Sequence, residues 1–295
     1  MTSSQRRGVC FTVLSALLFG VTPILASWSY DLGSTPETLT FYRNLLVVPI
    51  LLLLLLIRKK SLAVPLPTLA KLLAVGVLGR GLTTLLLYCS YPYIGVGMST
   101  CLHFLYPVST ALLCRLLFGE ALGRRKLAAL AVATAGVACF LELSQAAAMA
   151  GVALAVISAL TYSVYLVGLD KLELSRLDPM VVSFYMALGV SGGMLLYHIP
   201  TRSIVFALPP AAFAMTAVVS VCTSLLAVSF LQMGVRYLNA STAAILSLCE
   251  PVTSALCGVL ILHEVFSPVK LAGSLLILAA ILMMTVTRRP ERASV

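Results

Sequence analysis

Ten apolar stretches, each about long enough to cross a bilayer as a helix, take up most of this 295-residue chain. They run over approximately 8–29, 35–57, 68–90, 97–118, 124–142, 150–169, 179–198, 209–233, 239–262 and 268–286. A membrane-crossing helix needs roughly 20 apolar residues. The stretches do not alternate apolar with polar residues, so they read as helices and not as barrel strands. The connections between them are short, and no soluble domain fits. Only 10% of the residues are charged and the mean hydropathy is +1.06. Soluble domains carry about 25% charged residues.

The net charge of +10 would suit a nucleic-acid binder, but its placement excludes that class. With the N-terminus inside, the cytoplasmic segments hold 15 of the 20 basic residues, among them Arg6, Arg7, Arg58, Lys59, Lys60, Arg124, Arg125 and Lys126. The opposite side holds only Arg202 and Lys270, while Arg43, Arg80 and Arg115 lie within spans. This is the positive-inside bias, and it predicts a multi-pass protein with both termini in the cytoplasm. Arg6-Arg7 before an apolar run resembles a secretory signal, but the run is long and nine more follow, so an uncleaved first span is expected. The eight cysteines all fall within spans and form no CxxC pair, so neither a metal site nor any other cofactor is expected. No GxxxxGK[ST] loop is present for ATP, and no nucleophile–base pair for an enzyme.

The chain also repeats itself. Shifted by 143 positions, Gly8, Val9, Val13, Ser15, Ala16 and Leu17 fall on Gly151, Val152, Val156, Ser158, Ala159 and Leu160, and Pro36, Phe41 and Tyr42 on Pro179, Phe184 and Tyr185. At an offset of 144, Tyr93, Pro107, Glu120 and Leu127 fall on Tyr237, Pro251, Glu264 and Leu271. Each repeat holds five spans, and an odd number forces the second repeat into the membrane upside down. The expected fold is an all-α polytopic membrane protein of ten transmembrane helices. They form two inverted five-helix repeats, residues 1–143 and 144–295. Inverted repeats with a site near the midplane are the architecture of many secondary transporters.

Two five-helix repeats, each with "P…FY" in its second span and a proline followed by glutamate thirteen residues later in the fourth (Pro107 to Glu120, Pro251 to Glu264), resemble the EamA-type transporters of the drug/metabolite transporter superfamily. "FYRNLL" (41–46) is similar to that family's arginine-bearing second helix. The resemblance spans nearly the whole chain. It implies alternating access through a central cavity lined by the first, third and fourth helices of each repeat, and a small metabolite such as an amino acid as cargo. Met186 stands where the first repeat has Arg43, so that arginine is not a symmetric structural requirement.

Within the spans, a proline leaves the carbonyl four residues earlier without its helical donor. Pro107 would free the carbonyl of His103, and Pro251 that of Ser247. Such groups are tolerated in lipid where they face a cavity or another helix. The aligned pairs His103/Tyr106 and Ser247/Glu250 differ chemically between the repeats, as a site does and a scaffold does not. Ionisable groups at the bilayer centre are functional candidates by default. Glu250 would carry a coupling proton or hold a substrate ammonium, or else serve assembly alone. Arg80, between Gly79 and Gly81, would face Glu250 or a substrate carboxylate. Arg43 is either a site residue or an anchor, and Tyr88, Tyr162 and Tyr165 either grip substrate or pack. Trp28, Tyr30, Tyr91, Tyr93 and Tyr197 lie near span ends, where aromatic belts are expected. Glu120 and Glu264 read as structural braces. The expected function is secondary active transport, in the direction of export, of small polar metabolites such as amino acids, with a choline-like organic-cation carrier or a lipid-linked flippase as alternatives. The expected partners are the small-molecule substrate and the lipid bilayer.

Overall fold

With no water in the hydrocarbon to satisfy them, backbone N–H and C=O groups must pair within each segment, so apolar stretches fold as helices. The computed structural model describes residues 3–119, 123–139, 146–237, 246–247, 249–265 and 267–285, and they include no strand. Fourteen α-helices are described. They are α1 (Ser3–Asp31), α2 (Pro36–Leu45), α3 (Val47–Ile57), α4 (Leu66–Ala74), α5 (Leu82–Ile94), α6 (Val96–His103), α7 (Tyr106–Phe118), α8 (Arg124–Ala138), α9 (Ala146–Lys171), α10 (Pro179–Thr201), α11 (Pro210–Val219), α12 (Val228–Tyr237), α13 (Cys249–Ile261) and α14 (Pro268–Thr285). Many run end to end as one rod. Among the described residues, seven such rods are long and apolar enough to cross a membrane, and Leu127–Ala138, Cys249–Ile261 and Pro268–Ala280 are shorter apolar helices. The protein is a multi-pass membrane protein. Of the ten expected spans, the first to fourth and sixth to eighth reach full length; the fifth, ninth and tenth adjoin chain outside the described residues.

Two rods change helical type midway. Val75–Gly81 joins α4 to α5 as a π-helix, and Ser220–Ala227 joins α11 to α12 in the same way. π-helical turns are rare and concentrate at functional sites. Apolarity along the sequence gave no sign of either.

Early and late helices interlock. α1 lies along α11, α12, the Ser220–Ala227 segment and α13, while α9 lies along α5, α6, α7 and the Val75–Gly81 segment. α2 and α3 pack on α10, α8 on α14, and α6 on α13. One apolar cluster (Leu102, Phe104, Ala129, Ala155, Ile277) joins α6, α8, α9 and α14. A second (Ile24, Leu39, Tyr88, Tyr91, Val96, Val219) joins α1, α2, α5, α6 and α11.

At one end of the bundle, Asp178 caps α10. Its carboxylate accepts from the Met180 N–H at 2.9 Å and pairs with Lys60 Nζ at 3.0 Å, tying the loop after α3 to the start of α10. Partial burial pulls the Asp178 carboxyl up, but Lys60 and the N–H groups of Met180 and Val181 outweigh it and hold it below its usual value near 3.8. A depressed carboxylate stabilises the fold above its unfolded pKa, and that contribution is lost as pH falls through the folded value. Asp178→Ala is therefore expected to cost about 1 kcal/mol, as lost N-caps do. In detergent, the variant's melting temperature should lie below wild type at pH 7 and converge with it below about pH 4.

Candidate functional site

Pro36 at the first position of α2 and the Thr35 cap, whose hydroxyl accepts from the Thr38 N–H at 3.1 Å, set the direction of that helix. Two turns on, Arg43 points inward and not to the membrane surface. Its Nη1 donates to Tyr88 Oη at 2.6 Å, and Cζ stands 5.7 Å from the Tyr88 ring centre. Ser220, on the second π-helix, donates its hydroxyl to the Arg43 carbonyl at 2.8 Å. Its guanidinium is thus engaged with Tyr88 inside the bundle. Tyr91 lies 5.5 Å from Tyr88, ring centre to ring centre, and is only 5% exposed. Tyr30 is a neighbour of both. Tyr30 and Tyr91 were expected in the aromatic belt, and that expectation is corrected: both hydroxyls are buried, Tyr91 beside the Thr100 hydroxyl and Tyr30 without a hydrogen-bond partner among the described residues. A signal was present, since Arg80, Thr84, Tyr88 and Tyr91 follow helical spacing along one face.

Arg80 sits on the first π-helix. Gly79 beside it lets α9 come close: a Cβ there would lie 2.7 Å from Tyr165 Cβ and 2.9 Å from Tyr165 Cα. The charge of Arg80 feels Tyr165, Arg43 and Tyr162. Among the described residues its guanidinium has no ion-pair or hydrogen-bond partner, although the side chain is half-buried.

The fourth rod is broken, not kinked. α6 ends at His103, Phe104 and Leu105 turn, and α7 starts afresh at Tyr106 with Pro107 in its first turn. There the missing N–H of proline costs nothing. The break turns Tyr106 toward α9. A column of rings results, with His103 5.4 Å from Tyr162, Tyr106 4.7 Å from Tyr162, and Tyr162 5.4 Å from Tyr165. His103 is buried and held by Ser158, Nδ1 to Oγ at 2.9 Å, so it braces the column. Ser163 donates to the Tyr106 carbonyl at 3.0 Å.

At the matching place in the ninth stretch, Pro251 does not free the Ser247 carbonyl as expected. Ser247 lies in a turn, and its carbonyl accepts from the Glu250 N–H at 3.0 Å. Pro251 again falls in the first turn of a helix, α13, where no donor is missed. Gly20 of α1 allows the crossing, since a Cβ there would lie 2.8 Å from the Glu250 carbonyl. The Glu250 carboxyl is half-buried and has no hydrogen-bond or ion-pair partner among the described residues. Its charged neighbour is Arg43, where the sequence suggested Arg80, and its field reaches Tyr91, Tyr106 and Tyr162.

Most buried hydroxyls elsewhere are spent within their own helices. Thr12, Thr100, Thr110 and Thr253 donate to carbonyls four residues back, at 2.9, 2.8, 2.7 and 2.6 Å. Such back-bonding makes polar residues tolerable in lipid without a site. Against that background, Arg43, Arg80, Glu250, Tyr88, Tyr91, Tyr106, Tyr162 and Tyr165 stand out as one connected interior group drawn from the second, third, fourth, sixth and ninth stretches. A separate cleft of about 150 Å³, lined by Val77, Gly81, Leu85, Val190, Gly193, Met194 and Tyr197, is apolar and apart from them.

Glu264, expected as a brace, is one. Its carboxylate accepts from the Val96 N–H and, at 3.0 Å, from the Gly97 N–H, capping α6 across the bundle. Glu120, its counterpart in the sequence, lies outside the described residues.

Apolar helices that collect ionisable side chains in their interior mark a candidate functional site in a membrane protein. The sequence profile of the EamA-like transporter family matches residues 6–141 and again residues 149–286, and the chain belongs to that family, within the drug/metabolite transporter superfamily. The uncharacterized transporter YcbK of Bacillus subtilis (strain 168) is 25% identical over 289 residues, covering 90% of this chain and 88% of that one. A solved crystal structure, described only as that of a protein, aligns with 95% of this chain and 96% of its own at a TM-score of 0.62 and 18% identity, a likeness of fold.

Proposed function

We propose that this protein is a secondary active transporter of small polar metabolites such as amino acids, working by alternating access between two inverted five-helix repeats, 1–143 and 144–295. The family profile matches twice, at an interval close to the 143–144 residue offset in the sequence. The helix pairings support the same reading. α1 packs on the third and fourth rods of the second repeat, as α9 packs on those of the first. The two π-helices overlap under the 144-residue shift. Ser163 against the Tyr106 carbonyl has its counterpart in Gly20 against the Glu250 carbonyl. With the basic residues where they are, both termini lie in the cytoplasm and the protein sits in the inner (plasma) membrane.

One observation carries the proposal: Arg80 and Glu250 are half-buried at mid-depth and without partners among the described residues. A purely structural charge in lipid is paired, whereas a transport site leaves its charges for the cargo. Glu250 is then the group that takes up and releases a coupling proton. Glu250→Gln in proteoliposomes should retain substrate binding, lower pH-driven uptake at least tenfold, and flatten its pH profile. Unchanged pH dependence in the variant would remove Glu250 from the coupling step. The cation-carrier reading finds support in the Tyr106–Tyr162–Tyr165 column, but two nearby guanidiniums oppose it.

A further inference from the structure

We propose that the cargo is an organic anion of net negative charge, a dicarboxylate or an acidic amino acid, with one acidic group held by Arg43, Tyr88 and Tyr91 and the other by Arg80 and Tyr165. This rests on the carrier reading and narrows it.

The interior group holds two guanidiniums, and guanidinium cannot be deprotonated in a protein. Arg43 and Arg80 are near enough to repel each other. The carboxyl that shares their space is Glu250. Glu37 lies six residues outward from Arg43 on α2, about 9 Å of helix rise. It sits in the first turn of that helix, where its charge meets the helix N-terminus, and it acts on Tyr30 and Cys89. Among the described residues this interior group therefore carries an excess positive charge, and more of it whenever Glu250 takes a proton. An uncompensated charge in a low-dielectric interior is costly, so the group favours an anion and rejects a cation.

Donors are in excess as well. Arg43 spends one N–H on the Tyr88 hydroxyl, and its planar fork is left facing no carboxylate within ion-pair distance among the described residues. Among the described residues the buried Tyr30 hydroxyl has no partner, and Tyr91 has only the Thr100 hydroxyl beside it. The nearby Thr100 hydroxyl already donates to the Val96 carbonyl at 2.8 Å and accepts from Ser254 at 3.0 Å. A carboxylate accepts only, and it can take up to four such donors, which is what a guanidinium fork beside two phenols supplies. The two arginines stand on different helices, Arg43 toward the outer end and Arg80 near mid-depth. Two separated anionic points suit a short dicarboxylate better than a single acid.

The test is uptake of radiolabelled succinate, glutamate, glutamine and choline by proteoliposomes containing the purified full chain. Succinate or glutamate should enter at least tenfold faster than glutamine, with choline excluded. Arg80→Gln and Arg43→Gln should each lower anion uptake at least tenfold and narrow the preference over glutamine. Arg80→Lys should recover part of it, with unchanged melting transitions showing that the variants fold. Uptake of glutamine or choline without succinate or glutamate overturns the charge assignment and leaves the carrier reading standing. No uptake of any of the four by folded wild-type protein overturns both.

Discussion

Gly79→Leu is expected to prevent recovery of folded protein from the membrane, and Gly79→Ala to lower its stability by about 1–3 kcal/mol, the range for overpacked cores. The π-helix that carries Arg80 touches α9 at this point with backbone against backbone. A Cβ would stand 2.7 Å from Tyr165 Cβ, 2.9 Å from its Cα and 3.1 Å from its nitrogen. None of these atoms belongs to a flexible side-chain end, so the helices must separate. Separation moves Tyr165 away from Arg80, and transport should fall further than stability does. Gly192 provides the control, because a Cβ there meets nothing within 4 Å, and Gly192→Ala should leave the melting temperature unchanged. Melting in detergent and size-exclusion profiles of the three variants check this. Equal melting temperatures for Gly79→Ala and wild type would show that the close crossing is not a constraint.

The second large effect is expected at Glu264. Its carboxylate takes the N–H groups of Val96 and Gly97, which the first turn of α6 leaves without helical partners. Hydrogen bonds to a charged group contribute about 1.5–3 kcal/mol each. Glu264→Ala should therefore lower stability by about 3–6 kcal/mol, whereas Glu264→Gln, which keeps one carbonyl acceptor, should lose about half as much. Gly95→Ala attacks the same clasp from the other side. Gly95 has φ of +79°, which L side chains avoid, and a Cβ would lie 2.7 Å from the Glu264 carboxyl carbon. Denaturation of the three variants in detergent should rank them with Gln mildest. A melting temperature for Glu264→Ala equal to that of wild type would dismiss the clasp.

Much of the candidate site was legible because each ionisable residue in an apolar run announces itself. Arg43, Arg80, Glu250, His103, Tyr106, Tyr162 and Tyr165 all stood out by type and depth, and the structure draws them into one region. Their partners were not legible. Depth along a helix can be counted from the sequence, but direction around the bundle cannot. Arg80 therefore looked like the cation facing Glu250, while in the fold it is the charge of Arg43 that acts on Glu250, without an ion pair. For the same reason Tyr91 and Tyr30, near span ends, passed for interface residues. The prolines misled in another way. Pro107 and Pro251 each fall in the first turn of a helix, but a proline inside a helix and one in the first turn of a new helix look alike in sequence. They differ in whether a carbonyl is left open.

Hydrophobicity and the internal repeat are local properties of the chain. They alone established that it is a helical, multi-pass membrane protein, and they pointed to the family that the profile match then showed. The helix pairings, the two π-helices, the clasp between Glu264 and α6, and Arg43 as the cation whose charge acts on Glu250 came only with the tertiary structure. Each depends on contacts between residues far apart in the chain, such as Ser220 with Arg43 and Glu264 with Gly97. Such pairs are selected by how the packed helices fit together, and no single segment carries that information.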